Sequence, residues 1–189
     1  MPFDRNSALI VIDVQNAMDS PVWSGRNNPD LLANLAAVLA CWREFRWPIY
    51  HVAHDSRFPD SPYRPGQPGN EFKLEVRPLA GEYVIRKNTC SAFASSDLES
   101  RLRAAGHLTL VVGGIVTNNS VEATVRAAGD LGFDVYVLAD GTATVGRTDR
   151  RGHSWDAEDV HQLALANMDG EYARIIEVRE LLREVHGRG

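Results

Sequence analysis

Cysteine is scarce in this 189-residue sequence: only Cys41 and Cys90 occur. There is no CxxC and no Cys/His spacing of the zinc-finger kind. A disulfide scaffold is therefore not expected, and the thiol usage points to a reducing, cytoplasmic compartment. Cys41 lies in an apolar helical pattern and is expected in the core. Positive charge is not in excess either. Twenty Lys and Arg stand against twenty-five Asp and Glu, a formal net charge of −5. With no basic run, the sequence argues against a nucleic-acid groove or an anionic membrane surface. No apolar segment approaches the ~20 residues that span a bilayer. The start, MPFDRNSALIVIDVQ, lacks the charged-then-apolar layout of a secretory signal. GxGxxG is absent and Gly113–Gly114 do not form a P-loop, so nucleotide binding has no support. The expected partner is a small-molecule substrate, with no cofactor.

What is present is alternation. Short aliphatic runs, too short for good helices, read as buried strands over 8–14, 48–54, 82–87, 108–114, 133–140 and 172–178. Between them lie helical patterns over 29–46, 96–106, 120–132 and 156–170, and a terminal helix from 179. Pro29 suits a first helical turn, Ser96 an N-cap and Gly106 a helix stop. A Pro- and Gly-rich stretch, 55–82, is irregular and of the length that is usually functional or flexible. The polar segment 141–155 reads as a loop. Neither repeats nor a linker occur, so one domain over 1–189 is expected. Strand–helix alternation predicts an α/β fold: a three-layer α/β/α arrangement on a mostly parallel, six-stranded, Rossmann-like sheet. Ligands of such sheets bind beyond the carboxyl ends of the strands.

Three strand ends carry chemistry. Asp13 closes the first, a carboxylate in a nearly all-apolar run that needs a partner; a loop-fixing cap or salt bridge is the plain alternative. Lys87 closes the third, where an exposed surface lysine is the plain alternative. After Gly113–Gly114 the turn TNNS delivers Ser120 to the start of a helix, where the plain alternative is an N-cap. If the sheet gathers all three, a base, a cation and a nucleophile converge, with helix-start N–H groups available to an oxyanion.

These segments carry a family likeness. ALIVIDVQNAM, VIRKNTCSAFASSDLESRLRAAG, VVGGIVTNNSVEATVRAAGDLGF and AEDVHQLALANMDGEYARI, in that order, resemble the isochorismatase-like hydrolases. This is also called the cysteine hydrolase superfamily and includes nicotinamidases and N-carbamoylsarcosine amidases. The resemblance runs almost end to end. It implies an amidase triad of Asp13, Lys87 and position 120, in which the acidic residue takes the nucleophile's proton and the lysine stabilises charge. It also implies a non-proline cis peptide at Val116–Thr117, aiming the Thr117 N–H, with that of residue 120, at the substrate oxygen. A homodimer or homotetramer is implied too. The family nucleophile is usually cysteine, whereas serine stands here. A hydroxyl is several pKa units harder to deprotonate than a thiol, each unit being worth about 1.4 kcal/mol, and no histidine stands in the motif to help.

Hydrolysis of a small molecule at an amide-type C–N bond is therefore the leading expectation. Ser120 is then either an engineered replacement that traps a ligand or a natural residue with slower chemistry. Two alternatives stay open: vinyl ether hydrolysis of the isochorismatase type, with the aspartate as acid and no nucleophile, and a non-catalytic small-molecule-binding protein on the same scaffold. Trp23 and Phe93 are candidate apolar walls for the substrate. Gln15, on the Asp13 side of its strand, is a candidate for orienting the carboxylate or a loop. Cys90, three residues past Lys87, reads as a core or pocket-wall residue. His51, His54 and Asp55 give a broken version of the nicotinamidase metal pattern, so no metal is expected. His161 reads as a packing residue.

Overall fold

The central strands are apolar on both faces because both faces are covered. The computed structural model describes residues 3–187. Six strands, Ser7–Ile12 (β1), Ile49–His54 (β2), Tyr83–Lys87 (β3), Thr109–Ile115 (β4), Asp134–Ala143 (β5) and Arg174–Ile176, form one sheet. All its pairings are parallel. Between β5 and the last strand lies a two-stranded antiparallel ribbon, Arg147–Thr148 (β6) and Ser154–Trp155 (β7), so Arg174–Ile176 is β8. Strand order is β3-β2-β1-β4-β5-β8.

The helices are Leu31–Phe45 (α1), Leu98–Ala105 (α2), Glu122–Asp130 (α3), Ala157–Met168 (α4) and Val178–His186 (α5). The period-two alternation of a strand divides the core in two. Leu9, Val11, Val111, Tyr136 and Leu138 pack on one face with α1 and α5. Ala8, Ile10, Ile12, Leu110, Val112, Val135 and Val137 pack on the other with α2, α3 and α4. In α1, Leu31, Leu35, Val38, Leu39 and Trp42 recur at helical spacing and are all buried, the apolar stripe that attaches a helix to a sheet. The Trp42 indole N–H donates to the Ser7 carbonyl at 3.0 Å.

Several boundaries move. Pro29 precedes α1 rather than opening it. Ser96 does accept the Leu98 N–H at 3.1 Å, but α2 begins two residues after it. β5 continues to Ala143 and the ribbon occupies part of the expected 141–155 loop. Arg174–Ile176 is shorter than 172–178 because α5 already starts at Val178. Cys41 is buried as expected, and burial pushes its thiol up to about 11. Among the described residues no helix is long and apolar enough to cross a membrane.

From β1 the chain steps to β2 and β3 on one side, then returns to β4 on the other. The carboxyl ends of β1 and β4 thus flank the point where strand order reverses, the place where open α/β sheets form a crevice.

Candidate active site

β1 ends in a residue of left-handed backbone. Asp13 has φ 56°, which costs a non-glycine residue about 1–2 kcal/mol. Two backbone bonds hold it: Asp13 N–H donates to the Val52 carbonyl at 2.8 Å, and Gln15 N–H donates to the Asp13 carbonyl at 2.9 Å. Lys87 ends β3, two strands away, in register with His54 of β2. Its side chain is fully buried. The ammonium donates to Asp13 Oδ2 at 2.7 Å, to the Thr89 carbonyl at 3.1 Å and to Ser120 Oγ at 3.3 Å. An ammonium has three protons, and all three find acceptors here. Asp13 Oδ1 is buried and takes no hydrogen bond. Burial pushes the Asp13 carboxyl above the usual carboxylate range, against the opposing pull of the Lys87 charge and its hydrogen bond.

Two glycines precede Ile115, the last residue of β4, at positions where a side chain would be crowded. A Cβ on Gly114, at φ +129°, would lie 2.1 Å from the Ile12 carbonyl oxygen. One on Gly113 would lie 2.6 Å from Leu35 Cδ2. The non-proline cis bond falls at Ile115–Val116, not at Val116–Thr117; the reversal sits where β4's last residue meets the turn, one position earlier than implied. Thr117–Val121 then form a π-type turn and α3 starts only at Glu122. Ser120 therefore lies inside that turn rather than capping a helix. The Val116 carbonyl accepts the N–H groups of Asn119 and Val121. Behind the turn, Thr117 Oγ1 and buried His161 Nδ1 are 2.9 Å apart. His161 thus packs as expected, and burial holds its imidazole below the ordinary range.

Asp13 and Ser120 line one cavity of about 480 Å³ together with Trp23, His54, Tyr63 and Val116. Trp23, His54 and Tyr63 make edge-to-face contacts, with centroids 6.4 Å apart for Trp23–Tyr63 and 5.8 Å for His54–Tyr63. Arg57 and Phe58 of the long loop also line it, as do Asn119 and exposed Cys90.

The structure thus brings Asp13, Lys87 and Ser120 together, with Trp23 as a wall. Phe93 is not at the cavity: its ring packs against Phe133 at 5.7 Å, part of the layer under α2 and α3. Gln15 is not there either. Its side-chain amide donates to the carbonyls of His54 and Asn70 at 3.2 and 2.7 Å and accepts the His54 N–H at 2.8 Å. It is a latch for the β2 end and the 55–82 loop, the loop-orienting half of its expected role. His51, His54 and Asp55 do not converge. His51 meets Glu82 at 2.7 Å and Asp55 meets Arg86 at 2.7 Å, while His54 turns to the cavity. Among the described residues no group of three His, Cys, Asp or Glu could hold a metal ion. Tyr63 and His54 are among the cavity residues that sequence reasoning missed. The length of the 55–82 loop was the signal for Tyr63.

Comparisons with known proteins bear on the family and the fold. An isochorismatase domain model matches residues 7–180. The uncharacterised isochorismatase family protein YrdC of Bacillus subtilis is 34% identical over 181 residues, covering 96% of this chain and 97% of its own. Ureidoacrylate amidohydrolase RutB of Variovorax paradoxus is 31% identical over 178 residues, covering 75% of this chain and 70% of its own. A crystal structure of an isochorismatase-family protein from Chromobacterium violaceum superposes with a TM-score of 0.95 at 47% identity, covering 99% of this chain and 97% of the other.

Proposed function

The chain belongs to the isochorismatase family of hydrolases, and from that premise we propose that it cleaves an amide-type C–N bond in a small molecule. One observation carries this: a single buried ammonium, Lys87, is hydrogen-bonded to both the Asp13 carboxylate and the Ser120 hydroxyl at the floor of one cavity. Asp13 Oδ1, buried and unpartnered, accepts the Ser120 proton as Oγ attacks the carbonyl carbon. Lys87 holds Oδ2 and steadies the charge that develops. The N–H groups of Val116 and Ser120, whose residues line the cavity, receive the oxyanion. Asp13 then returns the proton to the leaving amine, and water releases the acyl group from Oγ. Its raised pKa makes Asp13 a better base than an ordinary carboxylate. Ser120 stands where the resemblance places a cysteine, so acylation is slow by thiol standards. The amidohydrolase RutB, by its name, supports the C–N bond assignment.

The test is kinetic. Ser120→Cys supplies a nucleophile several pKa units easier to ionise, at about 1.4 kcal/mol per unit, so turnover of a responsive amide rises at least roughly tenfold. Intact mass finds an acyl adduct at position 120. If Ser120→Cys leaves turnover unchanged while Asp13→Ala abolishes it, no nucleophile is involved. The raised Asp13 pKa then favours the second reading, acid-catalysed cleavage of a vinyl ether. Binding without adduct or product across a panel of small amides and vinyl ethers contradicts both and leaves a non-catalytic binding protein.

A further inference from the structure

His54 ends β2 with its main chain fixed three ways. Its N–H donates to Gln15 Oε1 at 2.8 Å, and its carbonyl accepts from Gln15 Nε2 at 3.2 Å and Asn70 Nδ2 at 2.9 Å. The ring stands edge-on to Tyr63 and lines the same cavity as Asp13 and Ser120. Nδ1 is sealed from solvent without a partner, and Nε2 is the ring nitrogen left to the cavity. Acylation, as described above, makes no use of this imidazole.

We infer that His54 is the general base that activates the water which hydrolyses the Ser120 ester, an inference that rests on the proposed nucleophile role of Ser120. Three observations converge on it. The first is demand: an oxygen ester is a poorer acyl donor than a thioester, so a serine in this place needs a more strongly activated water than a cysteine does. The second is access. His54 lines the cavity beside Ser120, and its Nε2, unlike Nδ1, is not a sealed atom, so a water that enters there meets it. The third is charge state. Burial holds the imidazole below its ordinary range, which keeps it neutral with a lone pair to offer at neutral pH.

The step balances. A water proton passes to Nε2 as the water oxygen bonds to the acyl carbon, and the imidazole's own proton stays on Nδ1. The tetrahedral intermediate collapses and the carbon–Oγ bond breaks. The imidazolium proton goes to Oγ, which restores the serine hydroxyl and the neutral histidine, and the product leaves as a carboxylic acid that ionises in solution.

The experiment uses p-nitrophenyl acetate with the full chain and its His54→Gln variant. The variant releases nitrophenolate in a stoichiometric burst, then turns over about 10²-fold more slowly than wild type. KM falls with kcat, so kcat/KM stays within about threefold. An acetyl group accumulates on Ser120 by intact mass, and hydroxylamine, which needs no base, restores turnover. A loss of kcat and kcat/KM together, with no adduct, overturns the inference, because the residue then serves acylation or merely packs. His54→Asn serves as the second variant. If neither folds, a solvent deuterium isotope effect on wild-type deacylation near unity overturns the inference instead, and a clear normal effect upholds it. Wild type that gives neither nitrophenolate nor adduct fails the proposed function itself, an outcome distinct from all of these.

Discussion

Lys87→Met tests the central ion pair most directly. The ammonium and the Asp13 carboxylate meet at 2.7 Å with side-chain exposures of 0% and 6%. At that separation and an effective dielectric of ~20, the Coulomb attraction is roughly 6 kcal/mol. Desolvation of the two ions opposes it by several kcal/mol each, so the net worth of the pair is small and the cost of breaking it is large. The variant leaves a buried carboxylate that has lost its cation. Its one escape is to stay protonated. An unfolded aspartate titrates near 3.8, so holding the proton at pH 7 costs about 1.4 kcal/mol per unit, about 4.5 kcal/mol in total. This agrees with the 3–5 kcal/mol typical of breaking a buried pair. At pH 5 the same escape costs only about 1.7 kcal/mol. The sign follows from proton counting: a folded pKa above the unfolded one means the folded state binds more protons, so stability falls as pH rises. The gap between variant and wild type therefore narrows on acidification. For a chain of this length a loss of about 4.5 kcal/mol lowers Tm by roughly 9–18 °C. Urea melts of wild type, Lys87→Met, Asp13→Asn and the double variant, each at pH 7 and pH 5, measure these quantities. Single-variant losses that add in the double variant, or a Lys87→Met deficit that is below 1 kcal/mol or independent of pH, would refute the coupling.

Two further outcomes check the turn that carries Ser120. Gly114→Ala places a Cβ 2.1 Å from the Ile12 carbonyl oxygen at φ +129°; overpacking and backbone strain together cost about 2–6 kcal/mol, seen as a lowered urea midpoint or loss of soluble protein. Thr117→Val keeps the shape but strips buried His161 Nδ1 of its 2.9 Å partner, a loss of about 1–3 kcal/mol. Its kcat falls with little change in KM if the hydrogen bond positions the turn, and melts with steady-state kinetics separate the two effects.

Much of this was legible in the sequence for a physical reason. Strands such as ALIVIDV, buried on both faces, are continuously apolar, and parallel pairing forces a helix between them, so composition and order suffice to give the sheet. Asp13 and Lys87 were legible because a charge at the end of an apolar run demands a partner, and they do partner each other across 74 positions of chain. The turn at Ser120 was legible in place but not in form. The residues TNNS suit an N-cap, yet tertiary contacts from Thr117 to His161 and from Thr144 to Asn118 hold them in a π-type turn instead. Phe93 was misplaced because sequence proximity to Lys87 says nothing of which way a side chain points once the strand has ended, whereas Gln15 orients a loop and not the carboxylate.

The two histidines of β2 part by the same strand geometry. His51 and His54 are three apart on one strand, and an odd separation sends two side chains to opposite faces. That alone forbids a shared metal, without coordinates. His51 is taken up by Glu82, which Arg43 of α1 also grips in two bonds and which accepts the Leu79 N–H, a structural clamp on the edge of the sheet. His54 is left on the face that opens between β1 and β4. A strand that ends beside a topological switch point presents its last inward residue to the ligand crevice. The same period of two that rules out the metal therefore nominates His54 for the cavity, and a serine nucleophile, short of a strong base, is the circumstance in which a neutral imidazole there has work to do.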